Sequence, residues 1–290
     1  MDKNAFTELA AMVLLGEIVG GAYGNAASGR KREDLYKKPV LKLKRGAACS
    51  VSPQVTAAAM QSGPRDAAEV ASAAALDGAI RRDLAGVHDL AESGGVKTAL
   101  ALMPPVALAL FARGVRDQAA VIQAVRQTVG QESTDEVVIM GCCIYVQYLI
   151  RLLAGNPDAE YASPKMFRET FAEVQNLDHS EFSEFAGTTF RCLLDRAFCD
   201  LPIADVQSSF SVVDILECAV WCLANTENYR EAIVGVVNLG GDAETTGAVT
   251  GALYCALAKR RGVVEDMAEP IRGAQSLLAA AAAFSDRLFG

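Results

Sequence analysis

Apolar positions recur along this chain at helical spacing, and no segment alternates apolar with polar residues over several strands. Residues 5–24 read as an apolar helix rich in small residues, carrying Leu9, Met12, Val13, Leu15, Gly16, Val19 and Gly20. Residues 29–46 carry Pro39 and no helical period, which predicts a loop. Helices are predicted at 52–62, with Ser52 as N-cap before Pro53, and at 64–76, opened by Pro64. Others follow at 80–91, 98–113, 116–128 and 134–154, the last closed by Gly155-Asn156-Pro157. Further stretches at 164–175 and 182–200 read as helical. Ser211 caps a helix to about 224, in which Val212, Ile215, Leu216, Ala219, Val220 and Leu223 are spaced for burial. Residues 229–238 form another, Gly240-Gly241 break the chain, and a long helix runs from 242 to about 261, with one or two more over 265–288. The pattern predicts an all-α, compact, single-domain multi-helix fold over residues 1–290, without internal repeat or linker tract.

Composition supports that picture. Hydrophobic residues make up 51% of the 290, which is ample for a core, and only nine prolines interrupt the helices. The stretch from 98 to 112 is broken by Pro104-Pro105 and falls short of the ~20 apolar residues a membrane span needs, so no membrane segment is expected. The start of the chain lacks a clearly basic region and meets Glu17 soon after its apolar stretch, which predicts a cytoplasmic protein. Eight cysteines include no Cys-x-x-Cys pair. With only His88 and His179 as histidines, Cys218 and Cys222 read as reduced core residues rather than metal ligands. The net charge of −8 gives no reason to expect DNA binding. Residues 30–45 nevertheless hold eight of the 27 basic side chains, which is either a solvated loop or a contact for phosphate or an acidic protein.

Chemistry concentrates at Asn238-Leu-Gly-Gly-Asp-Ala-Glu-Thr-Thr-Gly247. Two glycines let the backbone turn sharply and approach a ligand, and a helix N-terminus follows with free N–H groups. Asp242 and Glu244, with the Thr245 hydroxyl, form an oxygen set suited to a hard cation such as Mg²⁺. The plainer reading is also open: Asp is a common N-cap, and Glu in a first turn complements the helix dipole.

This stretch resembles the closing signature of the ADP-ribosylglycohydrolase family, Asn-x-Gly-Gly-Asp-x-Asp-Thr followed by a Gly/Ala-rich helix. Residues 211–225 and the Tyr229-Arg-Glu-Ala232 step are similar to the helix pair before that signature, and residues 15–24 to the family's opening Gly-rich helix. The resemblance implies a compact all-helical fold and a pair of Mg²⁺ ions used to cleave ADP-ribose from a modified side chain, commonly arginine. It also implies metal ligands at Asp242, Glu244 and Thr245, and ligand contacts at Asn238, Gly240, Gly241, Gly95, Thr98, Ser50 and Ser52.

The chain departs from the family pattern elsewhere. The second acid of the signature is the longer Glu244. The family's Thr-Asp-Asp-Thr motif falls at Ser50-Val51-Ser52-Pro53, without a carboxylate, and no Asp-Asp pair occurs in residues 1–241. Gly20-Gly21-Ala22 stands where the family has Gly-Asp-Ala, with Ser28 at the place of a later Glu. The Gly-Asn-Gly loop falls near Gly95-Val96-Lys97, and the Thr-His motif near Thr128-Val129 without the histidine. Two divalent ions ~4 Å apart need more than two carboxylates, so at most one Mg²⁺ is expected. Three readings follow. One is a divergent family member that binds ADP-ribose or an ADP-ribosylated protein with two-metal hydrolysis impaired or lost. Another is an active Mg²⁺-dependent hydrolase that works with one metal, or with acids supplied from elsewhere, such as Glu17, Asp34 or Glu92. The third is a non-catalytic helical interaction protein.

Overall fold

The structure is a computed structural model that describes residues 3–45, 47, 109, 117–129, 134–155, 163–259, 262–269, 271, 282, 285 and 286. The helices expected at 52–62, 64–76 and 80–91, and that at 98–113 apart from Ala109, lie outside the described residues. So do Ser50, Ser52, Glu92, Gly95 and Thr98. Ten α-helices are described: α1 (Lys3–Ala27), α2 (Arg32–Lys37), α3 (Gln118–Val129), α4 (Glu136–Ala154), α5 (Pro164–Gln175), α6 (Glu184–Thr189), α7 (Val212–Asn225), α8 (Tyr229–Val237), α9 (Ala243–Ala258) and α10 (Gly262–Ala268). Among the described residues there is no sheet, only an isolated parallel bridge between Ala47 and Ile271.

Helix starts follow the expected chemistry. Asp135, Ser163, Ser183, Ser211, Asn228 and Asp242 each accept a backbone N–H of their own first turn. Each such cap satisfies a donor the helix cannot.

Three helices are apolar all round and form the centre, as such helices must. In α4 every residue from 138 to 150 is buried. Tyr148 there stacks on Phe167 and Phe171 of α5, with ring centroids 5.8 and 6.5 Å apart. The other two, α1 and α9, run antiparallel in unusually close contact. A Cβ on Gly16 would stand 2.4 Å from the Gly251 carbonyl oxygen, one on Gly20 1.9 Å from that of Gly247, and one on Gly24 2.0 Å from that of Ala243. Tyr229 of α8 locks the pair by donating its hydroxyl hydrogen to the Gly16 carbonyl at 2.9 Å. Around α9 pack α1, α4, α7 and α8.

Four expectations are corrected. Residues 29–46 contain a helix, α2, because Leu35 is fully buried and anchors one short turn. Residues 182–200 do not form one helix. After α6 the chain turns, and Asp195 caps a separate 3-10 segment, Arg196–Asp200, by accepting the Ala197 N–H. The long helix ends at Ala258 rather than near 261, because Lys259 adopts the left-handed conformation, φ 50°. Finally, α1 and α4 are long and apolar enough to cross a membrane, which the sequence reading did not register. Their apolar windows are 83% buried against other helices, which accounts for that composition as core.

Candidate functional site

Asn238 ends α8, and its side chain is spent on the backbone. Its Oδ1 accepts the Val40 N–H at 2.8 Å, and its Nδ2 donates to the carbonyls of Val40 (3.2 Å) and Val234 (2.7 Å). The asparagine of the signature therefore clamps the basic segment to the end of α8. Gly240 and Gly241 follow with φ +87° and +65°, the left-handed region that favours glycine. At Gly241 a Cβ would lie 2.8 Å from the backbone N and O of Ser209. The turn is stitched there by the Asp242 N–H donating to Ser209 O (3.0 Å) and the Ser208 hydroxyl to Leu239 O (2.8 Å).

Asp242 is buried, and both its carboxylate oxygens hold Thr245. Oδ1 accepts the Thr245 N–H at 3.1 Å, and Oδ2 accepts its hydroxyl hydrogen at 2.8 Å. The Thr245 oxygen keeps lone pairs for a further ligand. Glu244 is half-buried beside it. The structure thus brings Asp242, Glu244 and Thr245 together at one helix start, next to Gly240 and Gly241.

Of the acids considered as reinforcements, Glu17 is almost fully buried in α1. The pairing of Gly24 with Ala243 and of Gly16 with Gly251 sets its height. It lies seven residues before Gly24, or ~10 Å down the helix axis from the Asp242 turn. Its backbone is thus about two helical turns from the signature acids. Asp34 is exposed on α2, and among the described residues no group of three His, Cys, Asp or Glu side chains could hold a metal. As a donor set among the described residues, Asp242, Glu244 and the Thr245 oxygen fit one hard ion completed by water or phosphate.

The neighbours of the turn were not foreseen. Ser208 and Ser209 lie about 30 residues away in sequence, and Arg32, whose backbone faces Gly240, more than 200. Arg32 donates to the carbonyls of Ile203 (2.7 Å) and Val206 (2.8 Å), which ties α2 to the loop before α7. No local signal in the sequence marks such a contact.

The pair Cys218 and Cys222 behaves as expected of core residues. Cys218 and Cys222 are buried and free, and burial pushes the Cys218 thiol up to about 12, which leaves it protonated and inert.

A sequence model of the ADP-ribosylglycohydrolase family matches residues 2–290. The chain belongs to the ADP-ribosylglycohydrolase family. A solved structure described as an ADP-ribosylglycohydrolase-related protein complex superposes over 99% of both chains with a TM-score of 0.61, at 18% identity, and shares the all-helical fold. Local similarity reaches the ADP-ribosylarginine hydrolase Tri1 of Serratia proteamaculans (strain 568), 46% identical over 54 residues. That stretch is 17% of this chain and 15% of the relative. The Tri1 of Pseudomonas putida (strain GB-1) is 34% identical over 82 residues, 28% of this chain and 22% of the relative. The chain therefore matches less than a quarter of the length of these curated relatives.

Proposed function

We propose that this family member binds ADP-ribose, or a protein carrying it, at the Gly240-Gly241-Asp242 turn, with two-ion hydrolysis impaired. The observation that supports this is the donor count at the turn among the described residues: two carboxylates and one hydroxyl, with Glu17 about two helical turns away and Asp34 on the surface. The left-handed glycines hold a tight turn against Ser209 and Arg32, and the α9 N-terminus that follows favours an anion, as a diphosphate ligand requires. One Mg²⁺ held by Asp242 and Glu244 would neutralise phosphate charge there. The family signature fits the same ligand class, because its glycines and first acid are kept while its second motif has lost its acids.

Thermal unfolding with ADP-ribose, with and without Mg²⁺, tests binding. Ligand at 100 times its Kd stabilises by about 2.7 kcal/mol, roughly a 5 °C rise in Tm for a chain of this size. No shift at millimolar ADP-ribose in either condition would overturn the binding reading. Turnover is tested separately, on ADP-ribosylarginine. The expected result is no Mg²⁺-dependent release of ADP-ribose. Release that is lost in Asp242→Ala, with that variant shown to be folded, would instead establish an active hydrolase.

A further inference from the structure

The basic segment forms one wall of an open groove of about 740 Å³, whose other wall is the end of α1. Arg30, Lys38, Lys42 and Lys44 line it, and no carboxylate does among the described residues. Its floor is apolar, with Ala22, Ala26, Val40 and Leu43. A second cleft of about 460 Å³ shares Lys42 and Leu43 but is close to balanced, because Asp266 and Glu269 face Arg45 and Arg230. Of these two clefts, the first holds the uncompensated positive charge among the described residues.

That concentration is held in place by backbone contacts. The Asn238 clamp fixes Val40 in the middle of the segment. Arg30 donates to the Lys38 and Asp34 carbonyls, which ties the first part of the segment back on itself. Ala47 bridges to Ile271 at the far end. A free loop would let four like charges spread into water, whereas this one is pinned where they converge.

We propose that this groove is a binding site for linked phosphates, as in pyrophosphate or a nucleoside di- or triphosphate. Four cations match the roughly three to four negative charges such a group carries at neutral pH. The volume lies within the ~300–1,000 Å³ typical of small-molecule sites, and the apolar floor suits a nucleobase. The site is separate from the Asp242 turn and does not depend on the reading of that turn. None of Gly240, Gly241, Asp242, Glu244 and Thr245 lines it, although its α1 wall, Ala22, Asn25 and Ala26, flanks the Gly24 that packs on Ala243.

Calorimetric titration with pyrophosphate, ATP and ADP-ribose at low salt tests it, using wild type, the exposed double variant Lys42→Glu/Lys44→Glu, and Glu244→Gln. Pyrophosphate and ATP are expected to bind wild type, with ATP the tighter. The double variant should raise both Kd values at least tenfold with its Tm preserved, and Glu244→Gln should leave them within twofold. Raising the salt should weaken binding several-fold, because the cations are exposed. The proposal is overturned if wild type shows no pyrophosphate or ATP binding at millimolar concentration. It is equally overturned if the double variant binds like wild type, or if Glu244→Gln alone abolishes binding. Polyglutamate binding as tightly as pyrophosphate would show an acidic-protein contact instead. ADP-ribose weakened only by Glu244→Gln, and the other two ligands only by the lysine variant, would establish two separate sites.

Discussion

Glu217 on α7 is 7% exposed, and burial, helped by the charge of Asp214, pushes its carboxyl up to about 7. The folded state therefore holds a proton that the unfolded chain has released above about 4.5. Stability from this group is fully present below about pH 4.5 and is lost as pH rises through 7. Unfolding by urea at pH 5 and pH 8 should show Glu217→Gln nearly neutral at the lower pH and stabilising by roughly 2–3 kcal/mol at the higher. Equal effects at both would mean the carboxyl titrates normally. Asp242 illustrates a different residue-scale lesson. From the sequence alone both a cap and a metal ligand are open. The structure shows the capping bonds outright, with both carboxylate oxygens on Thr245.

Close glycine packing decides the behaviour of whole elements. Glycine in a helix interior costs ~1 kcal/mol against alanine, so α1 accepts a local penalty at Gly16, Gly20 and Gly24. The gain is backbone contact with α9. Gly20→Ala should lose roughly 3 kcal/mol, because its Cβ meets the Gly247 carbonyl at 1.9 Å and backbone cannot step aside cheaply. Gly187→Ala in α6, where nothing stands within 4 Å of a Cβ, should gain up to about 1 kcal/mol. Chemical denaturation of the two variants checks the opposite signs. Helix starts were legible because a cap is a local bond between residues two or three apart. The run from 182 to 200 was misread for the complementary reason: Phe190, Leu193 and Phe198 are all buried, but turns and a 3-10 segment serve that burial as well as a helix would.

At the scale of the molecule, Asn238 joins two regions 198 residues apart, the basic segment and the end of α8. Asn238→Ala leaves the buried Val40 N–H and carbonyl without this partner, which should cost about 1–3 kcal/mol. It should also speed hydrogen exchange at the Val40 amide more than at amides of α9. Unchanged exchange at Val40 would show that the clamp does not hold the segment.

The amino-acid sequence by itself determined the all-helical class, the caps and the glycine-acid signature, since each rests on periodicity or on bonds between near neighbours. It also showed that residues 1–241 contain no Asp-Asp pair, since a missing residue needs no coordinates. Only the tertiary structure decided that Glu17 sits about two helical turns from Asp242, because that depends on the register of α1 against α9. In the same way it gathered four of the eight basic residues, Arg30, Lys38, Lys42 and Lys44, along one groove, because convergence of charge is a property of where the backbone is held and not of order along the chain.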